Sequence, residues 1–142
     1  MTRLLGPALW LAVALGAAAG VAFAGDNAAP QVKAVPFDNR SYVPLLEGPD
    51  TYLLHSGLVT LQPGKSVGQH TTGTNEEMLI PLEGAGELRC EGHPPMALKP
   101  GMVTYAPPNT RHDVLNTGTT PLRYIYVTAK TGWRGAFAGA EH

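Results

Sequence analysis

Three residues have the types and the spacing to hold a metal ion: His70, Glu77 and His112. His70 stands in the run Gly68-Gln69-His70-Thr71-Thr72-Gly73-Thr74-Asn75-Glu76-Glu77, and His112 follows Pro107-Pro108-Asn109-Thr110-Arg111. Each imidazole sits on a candidate strand close to a turn. Glu77 comes seven residues after His70. That is enough chain for a reversal at Gly73-Thr74-Asn75 to place it on the neighbouring strand. Turned into one barrel, two imidazoles and one carboxylate make a facial donor set with open positions. Such a set suits a divalent transition metal (Fe, Mn, Ni, Cu or Zn), whereas Mg and Ca prefer all-oxygen shells.

Other chemistry-bearing residues read more plainly. His55 shares strand parity with Leu53, Val59 and Leu61. It reads as a core or rim histidine, with an extra ligand or an acid–base group as the alternative. His93 lies in a Gly/Pro turn and His142 ends the sequence; neither is given a role. Tyr105, Tyr124 and Tyr126 are strand formers, one or two of which could line a pocket. Arg123 reads as an exposed strand residue, with a ligand's anionic group as the alternative partner. Cys90 is the sole cysteine and alternates with charged neighbours in Glu87-Leu88-Arg89-Cys90-Glu91, so it reads as a small core residue.

The elements that must position these side chains are short strands. Gly and Pro number 17 and 13 of 142 residues, a density of backbone breaks that excludes a helical bundle. From Tyr52 onward turn signals recur at Pro63-Gly64, Gly84-Ala85-Gly86, Gly92-His93-Pro94-Pro95, Pro100-Gly101, Pro107-Pro108-Asn109 and Asn116-Thr117-Gly118. They delimit strands at Leu53–Leu61, Glu77–Leu82, Glu87–Glu91, Met102–Ala106, Arg111–Leu115 and Leu122–Thr128, the pattern of an all-β sandwich or barrel. Gln31–Val35 and Ser41–Val43 are expected as short edge strands among Pro30, Pro36, Pro44 and Pro49.

Lys+Arg and Asp+Glu are nearly balanced at 10 and 11, and no basic stripe points to nucleic acid. Residues 1–24 read as a cleavable signal peptide. Arg3 is followed by an uncharged stretch to Ala24, and Ala22-Phe23-Ala24 fits a small-residue cleavage site. The expected product is periplasmic or secreted, with no membrane contact after cleavage. It comprises a leader with edge strands at 25–50, a barrel at 51–128 and a loosely packed tail at 129–142.

The two histidine segments resemble the two motifs of the cupin superfamily. The first motif is matched by Gly64, His70, Glu77 and Gly84, and the second by Gly101, Pro107, His112 and Asn116, all in register. Glu76 is the other carboxylate in reach, but the six-residue step to Gly84 fits Glu77. Thr72 stands where the family has a second histidine, and Asn109 where it has a glycine; Asn tolerates a positive φ better than most residues. The resemblance covers about residues 50–128. It implies an antiparallel double-stranded β-helix of the jelly-roll type. It also implies a metal held by His70, Glu77 and His112, a small-molecule pocket, and dimerisation through sheet edges, with segment 31–44 available to cover one.

Two functions compete on that basis. One is a metal-dependent enzyme of dioxygenase, isomerase or lyase type acting on a small organic substrate. The other is a non-catalytic exported module that binds a small ligand such as a carbohydrate, with or without metal.

Overall fold

A computed structural model of the protein describes residues 28–131. Nine strands run through it: β1 (Tyr42–Leu46), β2 (Leu54–Leu61), β3 (His70–Thr71), β4 (Asn75–Glu83), β5 (Gly86–Cys90), β6 (Met96–Leu98), β7 (Thr104–Ala106), β8 (Arg111–Leu115) and β9 (Leu122–Lys130). No helix occurs among the described residues. The expected signal peptide and the Trp133–Phe137 part of the tail lie outside them.

All pairings are antiparallel and form two sheets. The larger has the order β1-β2-β9-β4-β7, the smaller β3-β8-β5-β6. Side-chain alternation gives each sheet one inward face. In β8, His112 and Val114 are buried while Arg111, Asp113 and Leu115 lie further out. In β5, Leu88 and Cys90 point inward. In β9, Tyr124 and Thr128 do so, between Arg123, Ile125 and Val127 on the other face.

The inner faces meet in a core of Leu61, Leu79, Leu88, Cys90, Leu98, Val114, Leu122 and Tyr124. A fully buried Leu contributes roughly 1.5–3 kcal/mol, so these residues dominate the stability of a barrel held by no disulfide among the described residues. Burial raises the Cys90 thiol pKa, in keeping with an inert packing role.

Four details differ from the sequence expectation. Gln31–Val35 forms no strand. Pro30 and Pro36 bracket it, and its contacts run through side chains: Gln31 Nε2 donates to Asp50 O and Lys33 Nζ to Leu45 O. The edge strand β1 continues past Pro44 to Leu46, as a strand paired on one side can. Met96–Leu98 is a strand that the flanking Pro94-Pro95 and Pro100 concealed. β9 extends to Lys130, so the first residues assigned to the tail belong to the sheet.

Two motif residues act as clips. Gly84 has φ 76°, and a Cβ there would lie 2.3 Å from the carbonyl oxygen of Pro121, so only glycine fits. Asn116 is 1% exposed. Its Nδ2 donates to Leu61 O at 2.8 Å and Thr120 O at 2.9 Å, and its Oδ1 accepts from Gly118 N at 2.9 Å. It thus fastens the end of β8 to the end of β2, across the two sheets. At about 1 kcal/mol for each lost hydrogen bond, Asn116→Ala is expected to destabilise the fold by about 3 kcal/mol. A lower urea midpoint with an unchanged m-value is the measurement; an unchanged midpoint would refute the clip.

Candidate metal centre

β3 and β8 pair so that His70 stands directly opposite His112. The two rings are 4.5 Å apart between centroids and tilted by 58°. Glu77 comes from the other sheet. The turn after β3, closed by Asn75 N–H donating to Thr72 O, carries the chain across the barrel instead of back along the same sheet. This corrects the expectation that Glu77 lies on a strand neighbouring His70. Its β4 pairs with β9 and β7, and its carboxylate reaches the histidines across the interior. Asn109, with φ 61°, secures the arrangement: its N–H donates to Gly73 O at 2.6 Å and ties the loop before β8 to the turn before β4.

One ligand atom from each of His70, Glu77 and His112 lies within 4.8 Å of the others. Hydrogen bonding fixes how the rings present themselves. His70 Nδ1 lies 2.9 Å from Gly68 O, and His112 Nδ1 lies 2.9 Å from Thr110 O. A carbonyl only accepts, so both Nδ1 atoms carry the proton, and the other ring nitrogen of each is the one available to a metal.

Glu77 supplies the decisive strain. It is 7% exposed, and its Oε2 lies 2.6 Å from His112 Nε2 yet makes no well-aligned hydrogen bond. A buried carboxylate oxygen without a directed donor is costly. A cation bound between it and the two imidazoles would remove that cost, so the donor set fits a divalent transition metal. Without a cation the same place is eased by a proton. The Glu77 carboxylate beside His112 holds that ring above the ordinary histidine range, against burial, which favours the neutral form.

Glu76 points to the outer face, where its Oε2 accepts from the Tyr105 hydroxyl at 3.1 Å. Strand parity thus leaves Glu77 as the interior carboxylate. Arg123 is also outward: it pairs with Glu83 and donates to Asp38 O.

The three residues open onto a cavity of about 400 Å³. Val59, Leu79 and Val114 give it apolar walls, and Thr72, Tyr124 and Tyr126 supply hydroxyls. No Lys or Arg lines it among the described residues. Burial pushes both Tyr phenols above the usual range, so they remain protonated.

One wall holds a chain of polar side chains. Tyr42 and Tyr126 hydroxyls are 2.9 Å apart, Tyr126 Oη is 3.1 Å from His55 Nδ1, and His55 Nε2 is 3.3 Å from Glu47 Oε2. His55 is therefore a rim residue, with 46% of its side chain exposed. Sequence reading missed Tyr42, Glu47 and Gly57. Strand parity marked His55 as an inward candidate and Tyr126 was one of three tyrosines that could line a pocket, but only the β2–β9 register, with Gly57 opposite Tyr126, brings them together.

Among known proteins, the model of the cupin domain family matches residues 57–128. The chain is a cupin. Its fold is the double-stranded β-helix expected from the two motifs. A Klebsiella pneumoniae protein with such a domain is similar at 20% identity, with 71% of this chain and 90% of that one covered and a TM-score of 0.60. A predicted oxalate decarboxylase of Thermotoga maritima is 29% identical over 54% of this chain and 65% of its own, at a TM-score of 0.51. The DMSP lyase DddQ of Ruegeria pomeroyi shares the fold at 23% identity and a TM-score of 0.55, over 67% of this cupin and 48% of the lyase. No curated protein matches the chain significantly.

Metal binding to this cupin should depend on pH. A metal must displace the proton that Glu77 retains on His112. Affinity is therefore expected to rise by about tenfold per pH unit while His112 holds that proton, and to level off above its raised pKa. In the metal-free protein the sign is opposite. The stabilisation from the protonated His112 is complete below the ordinary histidine value and is lost as pH rises through the raised one. Competition with a chelator across pH measures the first effect; pH-independent affinity would contradict it.

Proposed function

We propose that the protein is an exported metalloenzyme acting on a small, compact organic molecule, with a divalent transition metal held by His70, Glu77 and His112. The observation that carries this reading is the buried Glu77 oxygen, which faces His112 without a directed hydrogen bond while both histidines have their Nδ1 protons engaged. The tautomers are thereby set for ligation before any ion arrives.

When bound, the metal would polarise a substrate oxygen and act as a Lewis acid. The chain's own residues do the rest. His70, exposed at the mouth, marks the way in. Val59, Leu79 and Val114 around the site exclude bulk water, and the Tyr124 hydroxyl offers a proton to developing negative charge. With no cationic side chain on the described walls, a substrate's charge would be met mainly at the metal. That favours a neutral or singly charged molecule over a dianion. Decarboxylase and lyase names among similar folds support a bond-cleaving reaction; dioxygenase and isomerase chemistry need the same open positions.

Thr72 belongs to that openness. It lines the cavity, and its Oγ1 donates to Asn75 O at 2.9 Å. A metal with three protein ligands keeps about three sites for substrate and water or O₂.

Elemental analysis of the purified protein is expected to find up to one transition metal per chain, and His112→Ala should lose most of it. Thr72→His, by adding a third imidazole, should tighten metal binding in chelator competition. Equal metal content in wild type and His112→Ala would overturn the reading and leave a metal-free small-ligand binder. Metal-loaded protein that turns over no candidate substrate would instead leave a metal-bearing binder.

Export and dimerisation complete the proposal. A chain expressed with its own leader should be recovered outside the cytoplasm with an intact mass beginning at Gly25, and light scattering should find two copies. Full-length chain in the membrane fraction, or a monomer at high concentration, would contradict these points separately.

A further inference from the structure

The polar chain on the cavity wall is more ordered than a packing role requires. Its donors can be assigned from chemistry alone. Glu47 as a carboxylate only accepts, so His55 Nε2 carries a proton toward it. A neutral His55 then has a lone pair on Nδ1, which must accept from Tyr126. With its own proton committed, Tyr126 Oη accepts from Tyr42. The direction is uniform: Tyr42 to Tyr126 to His55 to Glu47.

The surroundings hold this geometry. Tyr42 and Tyr126 stack with centroids 6.3 Å apart, and the His55 ring lies 5.6 Å from that of Tyr126. Both tyrosines rest on Gly57, where a Cβ would come within 2.7 Å of each ring. The far end opens to water, with Glu47 52% exposed. His55 and Tyr126 line the same cavity as His70, Glu77 and His112. On β2, β9 and β4, His55, Thr128 and Glu77 stand side by side in register, which puts His55 two strands from the metal ligand, roughly 10 Å between backbones.

We propose that Tyr126, His55 and Glu47 form a proton relay that deprotonates a neutral hydroxy-carbonyl ligand as it chelates the metal. This rests on the metal reading above. The transfer balances without any redox partner. The ligand's O–H breaks and its proton goes to Tyr126 Oη; the Tyr126 hydroxyl proton moves to His55 Nδ1. The resulting imidazolium faces Glu47, and the ligand anion neutralises one charge of the metal. Tyr126 passes a proton on rather than storing a phenolate, in line with burial holding its hydroxyl protonated. A ligand that arrives neutral also suits walls without Lys or Arg among the described residues.

Acetohydroxamic acid is a suitable probe, since it is neutral near pH 7 and must lose one proton to chelate. Its association with the Co(II)-loaded protein is followed by stopped-flow absorbance, in the wild type, Tyr126→Phe and His55→Gln. The wild-type rate should not depend on added 2,6-lutidine, a base too hindered to ligate the metal. Both variants should bind the probe at least tenfold more slowly and recover speed in proportion to lutidine, an external base replacing the lost one. A clamp that merely holds β1 to the barrel would not be rescued by a buffer. Equal rates in all three proteins, or slowing without rescue, would overturn the relay.

Failure of the metal reading is separable, because then cobalt itself would not bind. In that case ¹⁵N spectra of metal-free protein decide for the relay's hydrogen bonds. A His55 protonated at Nε2 and accepting at Nδ1, with that signature lost in Tyr126→Phe, supports them. The reverse tautomer overturns the proposal.

Discussion

The site depends on one contact made across the barrel. His112 from the four-stranded sheet and Glu77 from the five-stranded sheet meet in the interior, 2.6 Å apart and almost wholly buried. Neither group tolerates that position alone. The carboxylate lacks a directed donor, and the imidazole's remaining nitrogen faces a negative charge. Only a positive charge between or upon them resolves the conflict, whether a proton or a metal ion. Much of the surrounding structure serves to maintain this tension: the β3–β8 pairing that sets His70 beside His112, the Asn109–Gly73 link between the two loops, and the apolar shell that keeps water from relaxing it.

The two motifs have a division of labour that their residue types explain. Histidine and glutamate carry the chemistry. Glycine and asparagine carry the backbone through places other residues cannot follow. Gly84 passes under a carbonyl with no room for a Cβ, and Asn116 supplies both donors and an acceptor to three backbone groups that would otherwise be stranded. Asn109 adopts a positive φ where the family has glycine, with an energetic cost that its hydrogen bond to Gly73 offsets. A loop residue with no chemistry of its own thus sets the distance between two ligands.

The ligand set and most strands were legible because they rest on local signals: period-two alternation, turn residues and motif spacing. Glu77 was separable from Glu76 by the six-residue step to Gly84, and strand parity in the structure agrees. What could not be read was which strands face each other. His70 and Glu77 are close in sequence but sit on opposite sheets, and no local pattern distinguishes a turn that returns from one that crosses over. The Tyr42–Tyr126–His55 chain was hidden for the same reason: Tyr42 and Tyr126 lie 84 positions apart and meet only through the β1-β2-β9 order. Met96–Leu98 escaped because three residues between prolines carry too little alternation to register.

Strand β1 lies upstream of the residues that match the family, 57–128, yet its Tyr42 bonds the Tyr126 hydroxyl of the cavity wall, and it leads into Glu47, the partner of His55. The pocket's polar wall is therefore supported by two parcels of chain with different obligations. The downstream parcel must conserve geometry, because every ligand and clip depends on its register. The upstream parcel crosses the barrel's edge as a single ribbon and can exchange side chains without disturbing that register. A barrel built this way can change the polar groups that back its wall by remodelling its first ordered strand, leaving the interior ligands as they stand.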